Sequence, residues 1–189
     1  MEKDRHTLIG TRYTMRRADR RDAKELASLA ARTFSDTFAH EVCDEDMASY
    51  VRHSLSPERM DEELACQESF FFLVHDEEGD AERPIAYMKI NIGAAQTEAM
   101  GEDACEIQRV YVLKEYHGRR IGTAMVDYAI AKAHLWGYRR VWLGFAETNK
   151  PAKALYTSRG FQVVGEHRFV LGNEIQTDLV AVCDLDKIF

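Results

Sequence analysis

Apolar and polar positions along the chain alternate between a period of two and a period near 3.6, and the changes of period mark the elements. Residues 1–10 are polar and unpatterned, which predicts a mobile N-terminal segment ahead of a single domain at 11–189. Residues 11–17 read as a short strand. Ala23, Leu26, Leu29 and Ala30 then share one helical face, predicting an amphipathic helix through about Phe38 with Asp19 or Asp22 as its cap. Residues 44–55 and 56–66 predict two more helices, the second opened by Ser56 with Pro57 in its first turn.

The pattern then shifts to strands at 70–75, 85–92 and 106–113, the first two joined across the polar stretch 76–83. Residues 121–136 give the clearest helix, with Ile121, Met125, Tyr128, Ala129 and Leu135 at helical spacing and Gly137 as its stop. A strand at 141–145 follows. Asn149 caps a helix to Arg159, with Pro151 in its first turn and Gly160 after it, and 161–171 and 176–185 close the chain as a β-pair. Strand, helices, three strands, helix, strand, helix and two strands predict a mixed α/β fold with helices covering a central sheet.

Composition narrows the function. The 189 residues, 46% hydrophobic and 30% charged, suit one domain with a sizeable core. Apolar runs such as Phe70 to Val74 are strand-sized, too short to cross a bilayer as helices. The opening Met1-Glu2-Lys3-Asp4-Arg5 lacks the apolar stretch of a secretory signal, and Cys43, Cys66, Cys105 and Cys183 are scattered. Reduced thiols and a cytoplasmic location are expected. The net charge of −7 argues against nucleic-acid binding and tolerates a small cationic substrate, although the plainer reading is simple solubility. No metal site is expected, since His134 has no partner ligand one turn away, and no Ser-His-Asp or Cys-His arrangement suggests itself. Phe70 to Phe72 and Trp142 read as core rather than as base-stacking platforms.

The stretch EIQRVYVLKEYHGRRIGTAMV at 106–126 carries the first chemical signal. A strand runs through a loop with Gly118 and Gly122 into a strong helix, whose first backbone N–H groups lack helical partners and sit at the positive dipole end. Such a loop lets backbone approach a phosphate, and His117, Arg119 and Arg120 add positive charge; the alternative is an ordinary strand-to-helix turn with solvated arginines. Here the sequence resembles the GCN5-related N-acetyltransferase family, whose pyrophosphate loop reads Gln/Arg-x-x-Gly-x-Gly/Ala. Residues 117–122 share that register: Gly122 matches the final glycine, His117 stands for the Gln or Arg, and Arg120 stands for the middle glycine. The stretch WLGFAETNKPAKALYTSRGF at 142–161 resembles the family's later signature, matching it at Asn149, Ala152, Tyr156, Gly160 and Phe161. From about Arg12 onward the chain is also similar to bacterial spermidine/spermine acetyltransferases, described too as regulators of protease production and sporulation. Residues 32–38, 70–74, 89–112 and 169–180 carry that likeness.

The resemblance implies a central, mostly antiparallel twisted sheet with two splayed parallel strands and helices on both faces. It implies acetyl-coenzyme A as co-substrate and a primary amine, a polyamine above all, as acceptor. The coenzyme arm would pair with backbone near Val110, Tyr111 and Val112, and its pyrophosphate would rest on N–H groups of His117, Gly118, Arg119, Arg120, Ile121, Gly122 and Thr123. Asn149 would hold the arm, Lys153 would reach a phosphate, and Tyr156 would protonate the departing thiolate. Because an amine attacks only when neutral, Glu106 is the candidate base, or else a structural or substrate-binding carboxylate. Asp36, Glu41, Glu98 and Asp178 are candidate acceptor-binding acids, with Phe34, Phe38 and Tyr111 as walls. Acidic residues 96–105 suggest a lid. The alternatives are an N-terminal, lysine or aminoglycoside acceptor, a coenzyme-binding sensor without catalysis, and a DNA-binding regulator, which the absence of a basic recognition helix opposes. Relatives of this kind often form homodimers.

Overall fold

The computed structural model describes residues 5–38, 43–171 and 174–189. The strands are β1 (Arg5–Thr7), β2 (Thr14–Arg17), β3 (Ser69–His75), β4 (Pro84–Asn91), β5 (Ala104–Val112), β6 (Arg140–Ala146), β7 (Gln162–Leu171) and β8 (Glu174–Asp184). The helices are α1 (Ala23–Phe38), α2 (Asp44–Ser54), α3 (Pro57–Ala65), α4 (Ile121–Leu135) and α5 (Lys150–Ser158). Among the described residues the strands form one mixed sheet in the order β1-β2-β3-β4-β5-β6-β8-β7. Every neighbouring pair is antiparallel except β5 and β6.

The central strand β4 is buried along its whole length, as the apolar run demands of a strand covered on both faces. Period-two alternation divides β3 between two helical layers. Phe71 lies under Lys89 on the side of α3, whereas Phe70 and Phe72 meet Trp136 and Tyr128 at the α4 side. The expected stripe of α1 is present, with Ala23, Leu26, Leu29 and Ala30 all buried. Burying each leucine contributes about 1.5–3 kcal/mol. Asp19 caps a 3-10 turn at Arg20–Asp22 through a capping box, and α1 follows directly.

Two expectations need correction. The pattern assigns no element to residues 1–10, yet Arg5–Thr7 pairs with β2, Arg5 meets Glu77 at 2.5 Å, and Leu8 is buried. Leu135, expected on the inner face of α4, is 78% exposed; the stripe runs instead through Ile121, Met125, Ala129 and Ala133 at steps of four.

The opening between β5 and β6 positions the site. The parallel strands pair only at Ala104↔Arg140, Cys105↔Val141 and Glu106↔Trp142, while β5 continues to Val112 and β6 to Ala146. A bulge explains the divergence: Lys89 faces Arg109 and Ile90 faces Ile107, so Gln108 is the extra residue and β5 twists away. Leu113 donates its N–H to Ile85 at 2.9 Å on β4. By alternation, the peptide groups of Val112 and Val110 turn the other way, into the cleft.

Candidate active site

A cavity of about 330 Å³ fills the cleft, with walls from Phe34, Tyr50, Tyr111, Tyr156, His167 and Asp178 among others. Its inner end is aromatic. Phe34 stacks on Tyr50 at 4.4 Å, and Tyr87 stacks on Tyr111 at 5.5 Å. Below them Glu63 takes two bonds from Arg109, at 2.9 and 3.2 Å, and one from Lys89 at 2.7 Å. Burial alone would raise the Glu63 carboxyl, but Arg109 and Lys89 outweigh it and hold it below the usual range. Burial pushes the Lys89 ammonium down. This ion cluster closes the inner end, with Glu63 shared among Lys89, Arg109 and Arg59, so that cations are in excess there.

Glu106 lies on the cavity wall, buried, and accepts three hydrogen bonds. Asn91 Nδ2 donates at 2.9 Å, the Thr97 N–H at 3.0 Å and the Thr97 hydroxyl at 2.5 Å. Three of its roughly four lone-pair sites are thereby used. The loop from Gly93 to Asp103 is fixed elsewhere too, by Trp142 Nε1 donating to Gln96 at 2.8 Å and Arg140 donating to the Met100 carbonyl at 2.9 Å. The expected lid is therefore a strap pinned across the sheet end, carrying Thr97 and Glu98 to the cavity.

On the other side, β5 leads through the 3-10 turn Lys114–Tyr116 to the N-terminus of α4. His117 Nε2 donates to the Val112 carbonyl at 2.9 Å, folding the loop back onto the strand. Gly118 has φ +77°, and Arg120, the N-cap of α4, has φ 63°. Arg120 thus takes the left-handed geometry that glycine adopts freely, so the substituted loop keeps a glycine-like path. Ala124 donates to the Arg120 carbonyl, which leaves Ile121, Gly122 and Thr123 as the first-turn donors at the positive end of the helix dipole. A Cβ on Gly122 would meet Leu155 and Val112 at no less than 3.8 Å, so the chain itself does not require glycine there.

Asn149 Oδ1 accepts from the Ala152 N–H at 3.0 Å and caps α5, so its Nδ2 remains without a partner among the described residues. Tyr156, two turns along α5, lies against Phe145 and Phe161 on the cavity wall. Burial pushes its phenol up to about 12, so it keeps its proton at neutral pH. Lys153 is exposed on the same helix.

The sequence-derived candidates thus converge unequally. Glu106, Val110, Tyr111, Asn149, Tyr156, Phe34, Phe38, Glu98 and Asp178 all line the cavity. Asp36 is exposed on α1 and outside its wall, and Glu41 lies outside the described residues. Pattern reading missed Tyr50, Tyr87, Thr97, Gln108, His167 and Arg168. His167 reaches the site only because the β7–β8 hairpin sets it opposite Asp178, itself paired with Ala146 on β6. No local sequence signal encodes that register.

The model of the Acetyltransferase (GNAT) family matches residues 38–161. The chain belongs to that family. Among GNAT relatives, an uncharacterised N-acetyltransferase encoded 3′ of pepI in Lactobacillus delbrueckii subsp. lactis is 32% identical, over 85% of this chain and 90% of that protein. An uncharacterised N-acetyltransferase of Mycobacterium bovis is also 32% identical, over 87% of this chain and 98% of its own length. The fold is similar to that of the PaiA N-acetyltransferase of Thermoplasma acidophilum, solved with coenzyme A, at a TM-score of 0.73 and 19% identity over 91% and 98% of the two chains. The ribosomal-protein-S5-alanine acetyltransferase of Vibrio fischeri gives 0.72 at 15% identity over 97% of each. This protein is accordingly a GNAT N-acetyltransferase, and the splayed β5–β6 pair and α5 are parts of that fold which line its cavity.

Proposed function

We propose that the protein acetylates a primary amine of a small cationic acceptor, a polyamine such as spermidine or spermine, in a ternary complex with acetyl-coenzyme A. One observation carries the reading: a single cavity joins Tyr156 and Asn149 on α5 to a mouth bearing Glu98 and Asp178. At the mouth those carboxylates outnumber Arg168, the cation beside them, and the cations around Glu63 lie at the opposite, inner end, so the ammonium of a cationic acceptor is drawn to the mouth. The aromatic inner wall suits the methylene spacers of such an amine.

The residues present fit the coenzyme. Val110 and Val112 offer backbone groups for an extended arm, as in strand addition, and the first-turn N–H groups of α4 with His117, Arg119 and Arg120 suit a pyrophosphate. Asn149 Nδ2 is available to the arm, and Lys153 lies on the same helix as a phosphate partner. When bound, the coenzyme supplies the acetyl thioester. The Val110 N–H is placed to stabilise developing oxyanion charge, and Tyr156 is the proton donor at the leaving sulfur. Glu106 pins the strap that carries Glu98. Every residue in this scheme lies in one chain, so homodimer formation would leave the chemistry unaltered.

The test is release of coenzyme A from acetyl-coenzyme A with spermine, spermidine, putrescine, aminoglycosides and short peptides. Turnover confined to the polyamines is expected. Turnover on peptides alone would keep amine acetylation and overturn the acceptor class.

A further inference from the structure

Resting on the reading as an amine acetyltransferase, a neutral amine has to be made inside the site, because an alkylammonium holds its proton at neutral pH. Glu106 is committed to Asn91 and Thr97. A different group stands at the mouth of the cavity. The imidazole of His167 lies between two carboxylates, Nδ1 at 3.5 Å from Glu98 Oε1 and Nε2 at 3.7 Å from Asp178 Oδ2. Nδ1 is buried with no hydrogen-bond partner among the described residues, and Nε2 faces Asp178. The ring lies over Gly144 on the splayed part of β6, where a Cβ would approach His167 Cε1 to 3.1 Å, so a larger residue would crowd it.

We propose that His167 is the proton acceptor for the amine, with Nδ1–H turned towards Glu98 and Nε2 receiving the proton. Three elements bring charge to it: the strap with Glu98, β8 with Asp178, and β7 itself with the adjacent Arg168. Glu98 orients the ring and balances the imidazolium charge as it forms. Asp178 draws the ammonium towards Nε2. The nitrogen, once neutral, bonds to the acetyl carbon as the C–S bond breaks. The sulfur takes the Tyr156 proton, the acetylated nitrogen passes its surplus proton back to the Tyr156 phenolate, and the imidazolium gives up its Nε2 proton to water once the product has left. Atoms and charge balance, with the acetyl thioester as the one co-reactant.

The experiment compares the native protein with His167→Gln and His167→Ala on two amines, an ordinary alkylamine and a weakly basic amine already neutral at neutral pH. The Gln variant should lose about 100-fold in kcat/KM on the alkylamine and only a few-fold on the weak base, since base catalysis typically contributes 10²–10⁴-fold. Added imidazole should restore the Ala variant on the alkylamine. A second readout needs no turnover: in the coenzyme-free protein, the His167 ring resonances should move when the alkylamine is added. Equal losses on both amines, absence of imidazole rescue, or an unmoved ring signal each overturn the assignment while leaving amine acetylation standing. A native protein that binds coenzyme A but acetylates neither amine sinks both readings.

Discussion

The Thr97 hydroxyl meets one oxygen of Glu106 at 2.5 Å while the Thr97 N–H meets the other at 3.0 Å, so one carboxylate on β5 anchors the strap that brings Glu98 to the cavity. Glu106→Gln replaces an acceptor oxygen with a donor facing donors. Loss of the charge-assisted bonds should lower stability by about 1.5–3 kcal/mol. The loosened strap should raise KM for the amine by roughly tenfold, equivalent to about 1.4 kcal/mol, with kcat little changed. Thermal melts and acceptor kinetics check this. A kcat collapse at unaltered KM would instead make Glu106 the proton acceptor.

Tyr156 is the cavity-lining phenol of α5, and burial holds it protonated with a pKa of about 12. Tyr156→Phe removes only the oxygen, so packing against Phe145 and Phe161 survives. The expected outcome is a fall in kcat of about 100-fold, with coenzyme affinity within about threefold of native. Steady-state kinetics and calorimetric binding separate the two quantities. An unchanged kcat would make Tyr156 a packed aromatic and leave the thiolate to water.

Most elements were legible because their signals are local. Asn149 accepts the Ala152 N–H as an N-cap should, and Ser56 accepts the Arg59 N–H at 3.2 Å. The chain order of the two motif blocks located Tyr156 and Asn149 at the cavity. Local patterning fails where pairing between distant strands decides. The bulge at Gln108 depends on β4, and the meeting of His167 with Glu98 and Asp178 depends on hairpin register and on a strap pinned by Trp142. Tyr50 sits on α2, which buries no residue fully, so periodicity gave no reason to place it in an aromatic wall.

Arg120 holds φ 63° at the cap of α4, a conformation costing a non-glycine residue roughly 1–2 kcal/mol. Arg120→Gly should relieve part of that, stabilising the fold by up to about 1 kcal/mol, while removal of the charge beside the α4 N-terminus raises KM for the coenzyme a few-fold. Arg120→Val should lose both stability and affinity, because a β-branched residue tolerates this region least. Melting temperatures and coenzyme titrations give the comparison. A glycine variant less stable than native would show that the arginine side chain, rather than the backbone path, holds the loop.

His75 sits at the end of β3 with Nδ1 on the Ala81 carbonyl at 3.0 Å and Nε2 buried without a partner. Burial first, then the nearby Arg16 and Arg5, lowers its pKa from 6.5 to about 4. Between those values the unfolded chain binds a proton that the native chain does not, so stability falls as pH drops through that window. The loss approaches about 3 kcal/mol by pH 4. His75→Asn keeps a donor at the Nδ1 position for the Ala81 carbonyl but cannot titrate, so its urea midpoint should change less between pH 7.5 and 4.5 than the native one. Parallel declines in the two proteins would assign the acid sensitivity to other groups, chiefly paired carboxylates such as Glu63, whose stabilising contribution is also lost as pH falls through its lowered value.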